Sequence, residues 1–286
     1  MSKPISGSIV TLTPRMAKEL LDVVEQSGQE NYRPLNRRRS ARMAEDIKSN
    51  RWDLNGSSLV VDSNGVLLDG QHRCQAVLIA NQPIRTFLVS GVEKSVEETL
   101  DTGKTRLFAD LLRNRGELYH SQLAAAIRRI WSYQKGSLSS GTRAGATSRE
   151  LLAVLKRHGR VRHWIAESGC VTRCVISPGI LGFVTYMGQR RGHITDEATS
   201  EFISGINTGI NLQEGDPRLV LRTEILGQKG RKSSDPLYWG VHQVLASTIK
   251  AWNQYLLGNK VKLRAIRYAS LSEKFPEFLT DKEVPA

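Results

Sequence analysis

Residues 58–80 constrain this chain more than any other stretch. Two short apolar runs, Ser58-Leu-Val-Val-Asp62 and Val66-Leu-Leu-Asp69, flank Ser63-Asn64-Gly65. Asn-Gly between apolar runs is the strongest short hairpin signal, because both residues accept a positive φ. Asp69-Gly70-Gln71-His72-Arg73 follows at once and leads into Cys74-Gln-Ala-Val-Leu-Ile-Ala80, which predicts a helix ending at Asn81. Ile84 to Ser90 predicts the next strand. Strand, turn, strand, glycine, helix and strand in succession specify a small α+β unit.

Upstream, Ser8–Leu12 reads as a strand, and Thr13-Pro14 supplies an N-cap with proline at the first helical position. Met16, Ala17, Leu20, Leu21 and Val24 then recur at helical spacing, up to Ser27-Gly28. A second helix is expected from the basic run Asn36-Arg-Arg-Arg-Ser-Ala-Arg42 to about Asn50. Beyond Gly91 the signals turn helical: a capping-box pattern at Ser95–Glu98, a helix over 106–113, and a longer one whose stripe is Leu123, Ala126, Ile127, Ile130 and Trp131. A second capping box at Thr147–Glu150 and helices over 178–190, 196–208 and 237–257 follow. The Gly/Ser-rich stretch 135–146 divides the chain, which gives an amino-terminal domain over 1–115, a connecting helix over 116–134, a linker over 135–146 and a helical domain over 147–286.

The 286 residues are 40% hydrophobic and 24% charged, which places them in the globular class and excludes disordered or collagen-like chains. Three cysteines in a chain this long exclude a disulfide scaffold. No apolar run reaches the roughly 18 to 20 residues that cross a bilayer, and Met1-Ser-Lys-Pro-Ile5 carries no signal-peptide core, so the cytoplasm is the expected compartment and membrane association is not expected. With 41 Lys+Arg against 28 Asp+Glu the net charge is +13, which points to polyanionic partners.

A strand–glycine–helix junction at Asp69–Arg73 has the makings of an anion site. First-turn amides carry the positive end of the helix dipole, Gly70 lets a ligand approach the backbone, and His72 and Arg73 add side-chain donors. The expected ligand bears phosphate. Within residues 31–51, Arg33, Arg37, Arg38, Arg39, Arg42, Lys48 and Arg51 face only Glu45 and Asp46, a density suited to phosphate contact. Arg39 and Arg42 are assigned to nucleic acid on this ground, as are Lys260, Lys262, Arg264 and Arg267 near the carboxy end.

Residues 33 to 92, and above all Trp52, Gly56, Val60-Val-Asp62, Gly65 and Leu68-Asp69-Gly70-Gln71-His72-Arg73, resemble the amino-terminal domain of the ParB/sulfiredoxin superfamily. The nearest variant is the DGQHR type of phage and mobile-element proteins. The resemblance implies an α+β fold, a small mixed sheet with helices, followed here by a mostly helical carboxy-terminal domain. In that superfamily the turn cradles nucleotide phosphates, CTP in ParB proteins and ATP in sulfiredoxins and free-serine kinases. Carried over, Gly70 becomes the close-approach position, Gln71 follows it in the nucleotide turn, His72 and Arg73 become the phosphate contacts, and Arg37 and Arg38 flank the pocket. The implied function is a nucleotide-binding, DNA-associated protein in which a nucleoside triphosphate (ATP or CTP), with or without Mg²⁺, modulates DNA association or self-association. The alternative is a phosphotransferase or NTP hydrolase acting on a small molecule or modified DNA base, with Asp69 as base or metal ligand and His72 and Arg73 stabilising transferred charge. Gln71 holds the position of the sulfiredoxin nucleophile, a cysteine, so sulfinic-acid chemistry is not expected.

Three other patterns yield less. Asp101-Thr-Gly-Lys-Thr105 ends like a Walker A loop, but the position five before Gly103 is Glu98 rather than glycine. Lys104 and Arg106 are instead assigned to the nucleotide pocket. Cys170-x-x-x-Cys174 with His158 and His163 lacks zinc-site spacing, so no metal ligand is assigned there. Tyr238, Trp239, Trp252 and Tyr255 are read as core rather than as a base-stacking platform.

Overall fold

The structure is a computed structural model that describes residues 4–27, 35–93, 95, 107–138, 145–169, 174–228, 230–235, 237–269 and 272–284. Lys104 and Arg106 lie outside them, as do Asp101, Cys170 and most of the Ser95–Glu98 pattern. The fold is mixed α+β, a four-stranded sheet with twelve helices among the described residues. None of the helices is long and apolar enough to cross a membrane.

The chain divides into two compact units, Met1–Lys104 and Thr105–Ala286. In the first, the order is β1 (Ser6–Leu12), α1 (Pro14–Gln26), α2 (Arg37–Lys48), β2 (Ser58–Asp62), β3 (Leu67–Asp69), α3 (Gln71–Ala80) and β4 (Ile84–Val92). The sheet runs β1-β4-β2-β3. β1 pairs antiparallel with β4 from Ser6↔Ser90 to Leu12↔Ile84, β4 pairs parallel with β2, and β2 pairs antiparallel with β3. Parallel neighbours need a crossover, and the α3 segment supplies it.

Helix α1 starts as the sequence predicts: Thr13 Oγ1 accepts from the Met16 amide at 3.2 Å, with Pro14 at the first position. Alternation along β2 sends Leu59 and Val61 to one face of the sheet and Val60 to the other. Leu59 and Val61 join Leu12, Ala17, Ile47, Leu67, Cys74, Val77 and Ile84 in one core, whereas Val60 packs with Leu68 and Val92. Each fully buried aliphatic side chain contributes roughly 1.5–3 kcal/mol relative to exposure.

The β2–β3 loop differs from the expected Asn-Gly turn. Asn64 is not among the residues with positive φ, and Gly65 takes the left-handed conformation at φ 90°. The loop is closed instead by Asp62, buried to 4% exposure, whose Oδ1 accepts from the amides of Asn64 and Val66, both at 2.8 Å. The Gly65 amide donates to Asp62 O at 3.2 Å, the pattern of a turn followed by a left-handed glycine. Glycine is still required, but the carboxylate does the work assigned to asparagine.

The second unit comprises α4 (Phe108–Asn114), α5 (His120–Gln134), α6 (Ser148–Arg157), α7 (Val161–Ser168), α8 (Pro178–Gly192), α9 (Asp196–Thr208), α10 (Pro217–Gly227), α11 (Val241–Leu256) and α12 (Leu263–Ile266). The expected division at 135–146 is not where the units part. Phe108 and Leu112 of α4 and Leu123, Ala126, Ile127 and Ile130 of α5 are buried in the same core as Leu151, Trp164, Phe183, Phe202 and Trp252. The supposed connecting helix is therefore central to this unit, and 135–146 joins two of its helices. It is also shorter than 116–134, because Gly116 (φ 76°) and Tyr119 (φ 50°) break the helical path before His120. Trp239 and Trp252 are core residues, 3% and 0% exposed. α10, opened by Asp216 and Pro217, is an addition to the expected set.

Two polar groups inside this unit are organised by hydrogen bonds. Arg218 bonds Asp216 through Nε at 3.0 Å and Nη2 at 2.7 Å, and lies 4.7 Å over the Tyr255 ring. His158, 3% exposed, receives the Gln134 amide nitrogen on Nε2 at 2.8 Å and meets Tyr186 Oη through Nδ1 at 2.9 Å. An amide nitrogen only donates, so Nε2 accepts and the imidazole is neutral. Burial, followed by the charges of Arg190 and Arg157, lowers the His158 pKa below its ordinary 6.5.

Removing the Asp62 carboxylate in Asp62→Ala strands two loop amides and should lower stability by about 2 kcal/mol, read from urea midpoints, with Asp62→Asn recovering part of the loss. For His158, the unfolded chain takes a proton near pH 6.5 while the folded chain resists it to lower pH. Below about that pH the unfolded state holds more protons, so stability falls as pH drops; a series of unfolding curves at falling pH should show a shallower decline in His158→Gln.

Candidate anion site at two helix starts

The turn between β3 and α3 is built on Gly70. Its φ of 109° is left-handed, and a Cβ there would sit 2.3 Å from Leu59 Cδ2 and 3.4 Å from Leu59 Cα. Any other residue would both strain the backbone and collide with β2. The close approach that requires glycine is thus to the neighbouring strand. From this turn α3 departs without a side-chain cap and ends at Asn81, itself left-handed at φ 51°.

The first turn of α3 meets the start of α2. The Asn36 amide donates to His72 Nε2 at 3.0 Å, and Asn36 Oδ1 caps α2 by accepting from the Arg39 amide at 3.1 Å. Two helix N-termini therefore adjoin, and their dipoles add positive potential in one place. The sequence names Asn36 only as the opening of a basic helix; its contact with His72 is not predicted there.

Arg73 lies at this junction and is 9% exposed. Its Nη2 bonds Asp69 Oδ2 at 3.3 Å, across the Gly70 turn at the end of β3. Its Nη1 is buried with no hydrogen-bond partner, as is the hydroxyl of Ser40 on α2. Burial lowers the Arg73 pKa, Asp69 opposes that, and Arg39 adds to it. The half-satisfied guanidinium is costly, since a buried unpaired polar group loses hydration without replacement. Asp69 itself keeps 44% of its side chain exposed.

Residues Asp69, Gly70, Gln71, His72 and Arg73 are brought together as the sequence suggests. Of the basic run, Arg37, Arg38, Arg39 and Arg42 are all exposed, and none has a carboxylate partner among the described residues. Ser40, Ala44 and Ile47 form the inward stripe of α2, which turns the arginines outward. Of the four, Arg39 is the one whose charge acts on Arg73. Lys260, Lys262, Arg264 and Arg267 are exposed on the second unit.

Cys74 faces the core at 0% exposure, and burial pushes its thiol up to about 12. A thiol held protonated is no nucleophile. No cluster of three or more metal-binding side chains occurs among the described residues. Comparisons with known protein families, curated proteins and solved structures find no match for this chain.

Proposed function

We propose that the chain is a DNA-associated protein of ParB/sulfiredoxin-like fold, acting in the cytoplasm, in which a nucleoside triphosphate, ATP or CTP, binds at Asp69–Arg73 and modulates DNA association or self-association. The observation that carries this reading is the buried, unpartnered Nη1 of Arg73 beside two adjoining helix starts. A phosphate oxygen would supply the missing acceptor, and the amide ends of α2 and α3 would share its charge. In the present arrangement Asp69 occupies part of the guanidinium, so an incoming phosphate competes with that carboxylate and its arrival is coupled to release of the Asp69–Arg73 pair. His72 serves through α2, because its ring already holds the Asn36 amide. Within this proposal Gly70 and Gln71 belong to the nucleotide turn, and Arg37, Arg38, Lys104 and Arg106 remain its assigned flank. Arg39, Arg42 and the Lys260–Arg267 group are assigned to DNA phosphates.

A second reading makes the same pocket an NTP-dependent phosphotransferase or hydrolase. The half-exposed carboxylate of Asp69 favours it, since a base or Mg²⁺ ligand must be accessible. The Asp69–Arg73 pair weighs the other way, because it already engages one of the two carboxylate oxygens.

A thermal-shift screen of ATP, CTP, GTP and UTP should raise the Tm for at least one nucleotide, with the shift abolished in Arg73→Ala and weakened in Arg73→Lys while the unliganded variants stay folded. No shift with any nucleotide overturns the assignment, and Mg²⁺-dependent turnover lost in Asp69→Asn selects the second reading. Duplex DNA affinity should fall linearly in log[salt], and neutralising Arg39 and Arg42 together should make that slope shallower by about 2; a flat salt response removes DNA from the proposal.

A further inference from the structure

The second unit gathers arginines around the buried His158–Tyr186 pair. The 2.9 Å contact between His158 Nδ1 and Tyr186 Oη joins the carboxy-terminal end of α6 to the carboxy-terminal half of α8. Arg157 precedes His158, and Arg190 follows Tyr186 by four residues on α8; burial raises the Tyr186 pKa and the Arg190 charge opposes that. Arg160 is ion-paired with Asp196, and the same carboxylate accepts from Gln189 Nε2 at 2.6 Å, the residue before Arg190. Arg157, Arg160 and Arg190 are all exposed, with Lys156 and Arg191 exposed beside them. Neither Arg157 nor Arg190 has a carboxylate partner among the described residues.

Helix dipoles account for part of this. Arg157 and Arg190 stand at the carboxy ends of α6 and α8, where cations are favoured by roughly 0.3–1 kcal/mol each. Arg160 stands at the amino end of α7, where the same dipole opposes a cation. The cluster also depresses the charge of its own imidazole, since Arg190 and Arg157 both disfavour protonation of His158. Arg157 and Arg190 have no carboxylate to offset them among the described residues, and a polyanion would supply that neutralisation.

We infer that Arg157, Arg160 and Arg190 form a contact surface for the phosphate backbone of duplex DNA, separate in sequence from the Lys260–Arg267 group. It rests on the DNA association proposed above and adds a surface which that reading does not contain. Three exposed guanidinium groups from three helix ends suit successive phosphates better than one small anion. A lipid headgroup surface is the poorer fit, because none of the large exposed apolar side chains lies in 156–160 or 190–194 to enter a bilayer. The contacts carry no base information, so the surface would hold and orient DNA without selecting its sequence.

The test uses the full chain and a random-sequence duplex, with affinity measured by fluorescence anisotropy over a salt series. In Arg157→Gln/Arg190→Gln, the slope of log K against log[salt] should become shallower by about 2, and affinity at low salt should fall about ten-fold or more. Arg190→Lys should stay close to the parent protein. Arg157→Gln alone, at an exposed helix end, should change the slope by about 1 and keeps the test open if the double variant loses its fold. An unchanged slope overturns the inference, as does an equal loss in the exposed control pair Arg113→Gln/Arg115→Gln, which would make the effect one of total charge. Tighter capture by phosphatidylserine vesicles than by duplex also overturns it. If the parent binds duplex and Arg39 and Arg42 variants weaken it while these do not, only this surface fails; if the parent binds no duplex, the DNA reading fails with it.

Discussion

The backbone at Gly70 is the constraint on which the amino-terminal unit depends. One left-handed residue reverses the chain out of β3, lets α3 begin against Leu59, and so places α3 to bridge between two parallel strands. The same turn sets His72 where it can receive the Asn36 amide and ties the start of α2 to the start of α3. Fold and candidate site are therefore one construction. The glycine that a phosphate-binding turn would call for is already demanded by packing, so its presence alone says little about ligands. The stronger pointer is Arg73, whose burial leaves a donor without an acceptor.

Much of this was legible in the sequence because local signals and long-range packing agree there. The apolar run of β2, the proline-capped start of α1 and the asparagine stop of α3 each state their own geometry. The two-unit organisation was less legible. A Gly/Ser-rich segment looks the same whether it separates domains or joins two helices of one core, and only burial of α5 against α7 and α8 distinguishes them. The tight loop misled for a related reason. Asn64-Gly65 carries the expected letters, but Asp62 two positions earlier closes the loop with its side chain, an option that a dipeptide rule ignores.

At the candidate site the sequence is informative about local grouping and silent about relations between elements. It gathered Asp69 to Arg73 into one turn, which is a local fact. It did not show that Asn36 meets His72, that Arg39 acts on Arg73, or that Asp69 holds half of the guanidinium, because each depends on how α2 docks on α3. The cluster around His158 and Tyr186 was equally hidden. Arg157, Arg160 and Arg190 are scattered in sequence and converge only through three helix ends.

The pairing of β1 with β4 has a consequence for how the unit is made. Ser6 finds its partner at Ser90, so the first of the four strands in chain order is the one that waits longest for a neighbour. Closing so large a loop costs entropy before any ladder bond repays it, which makes this edge a late event in folding. Until β4 emerges, β1 is an uncharged segment, Ser6 to Leu12, with its backbone donors and acceptors unmatched. The polar serines and threonine along it are what keep that interval from favouring contact with other nascent chains.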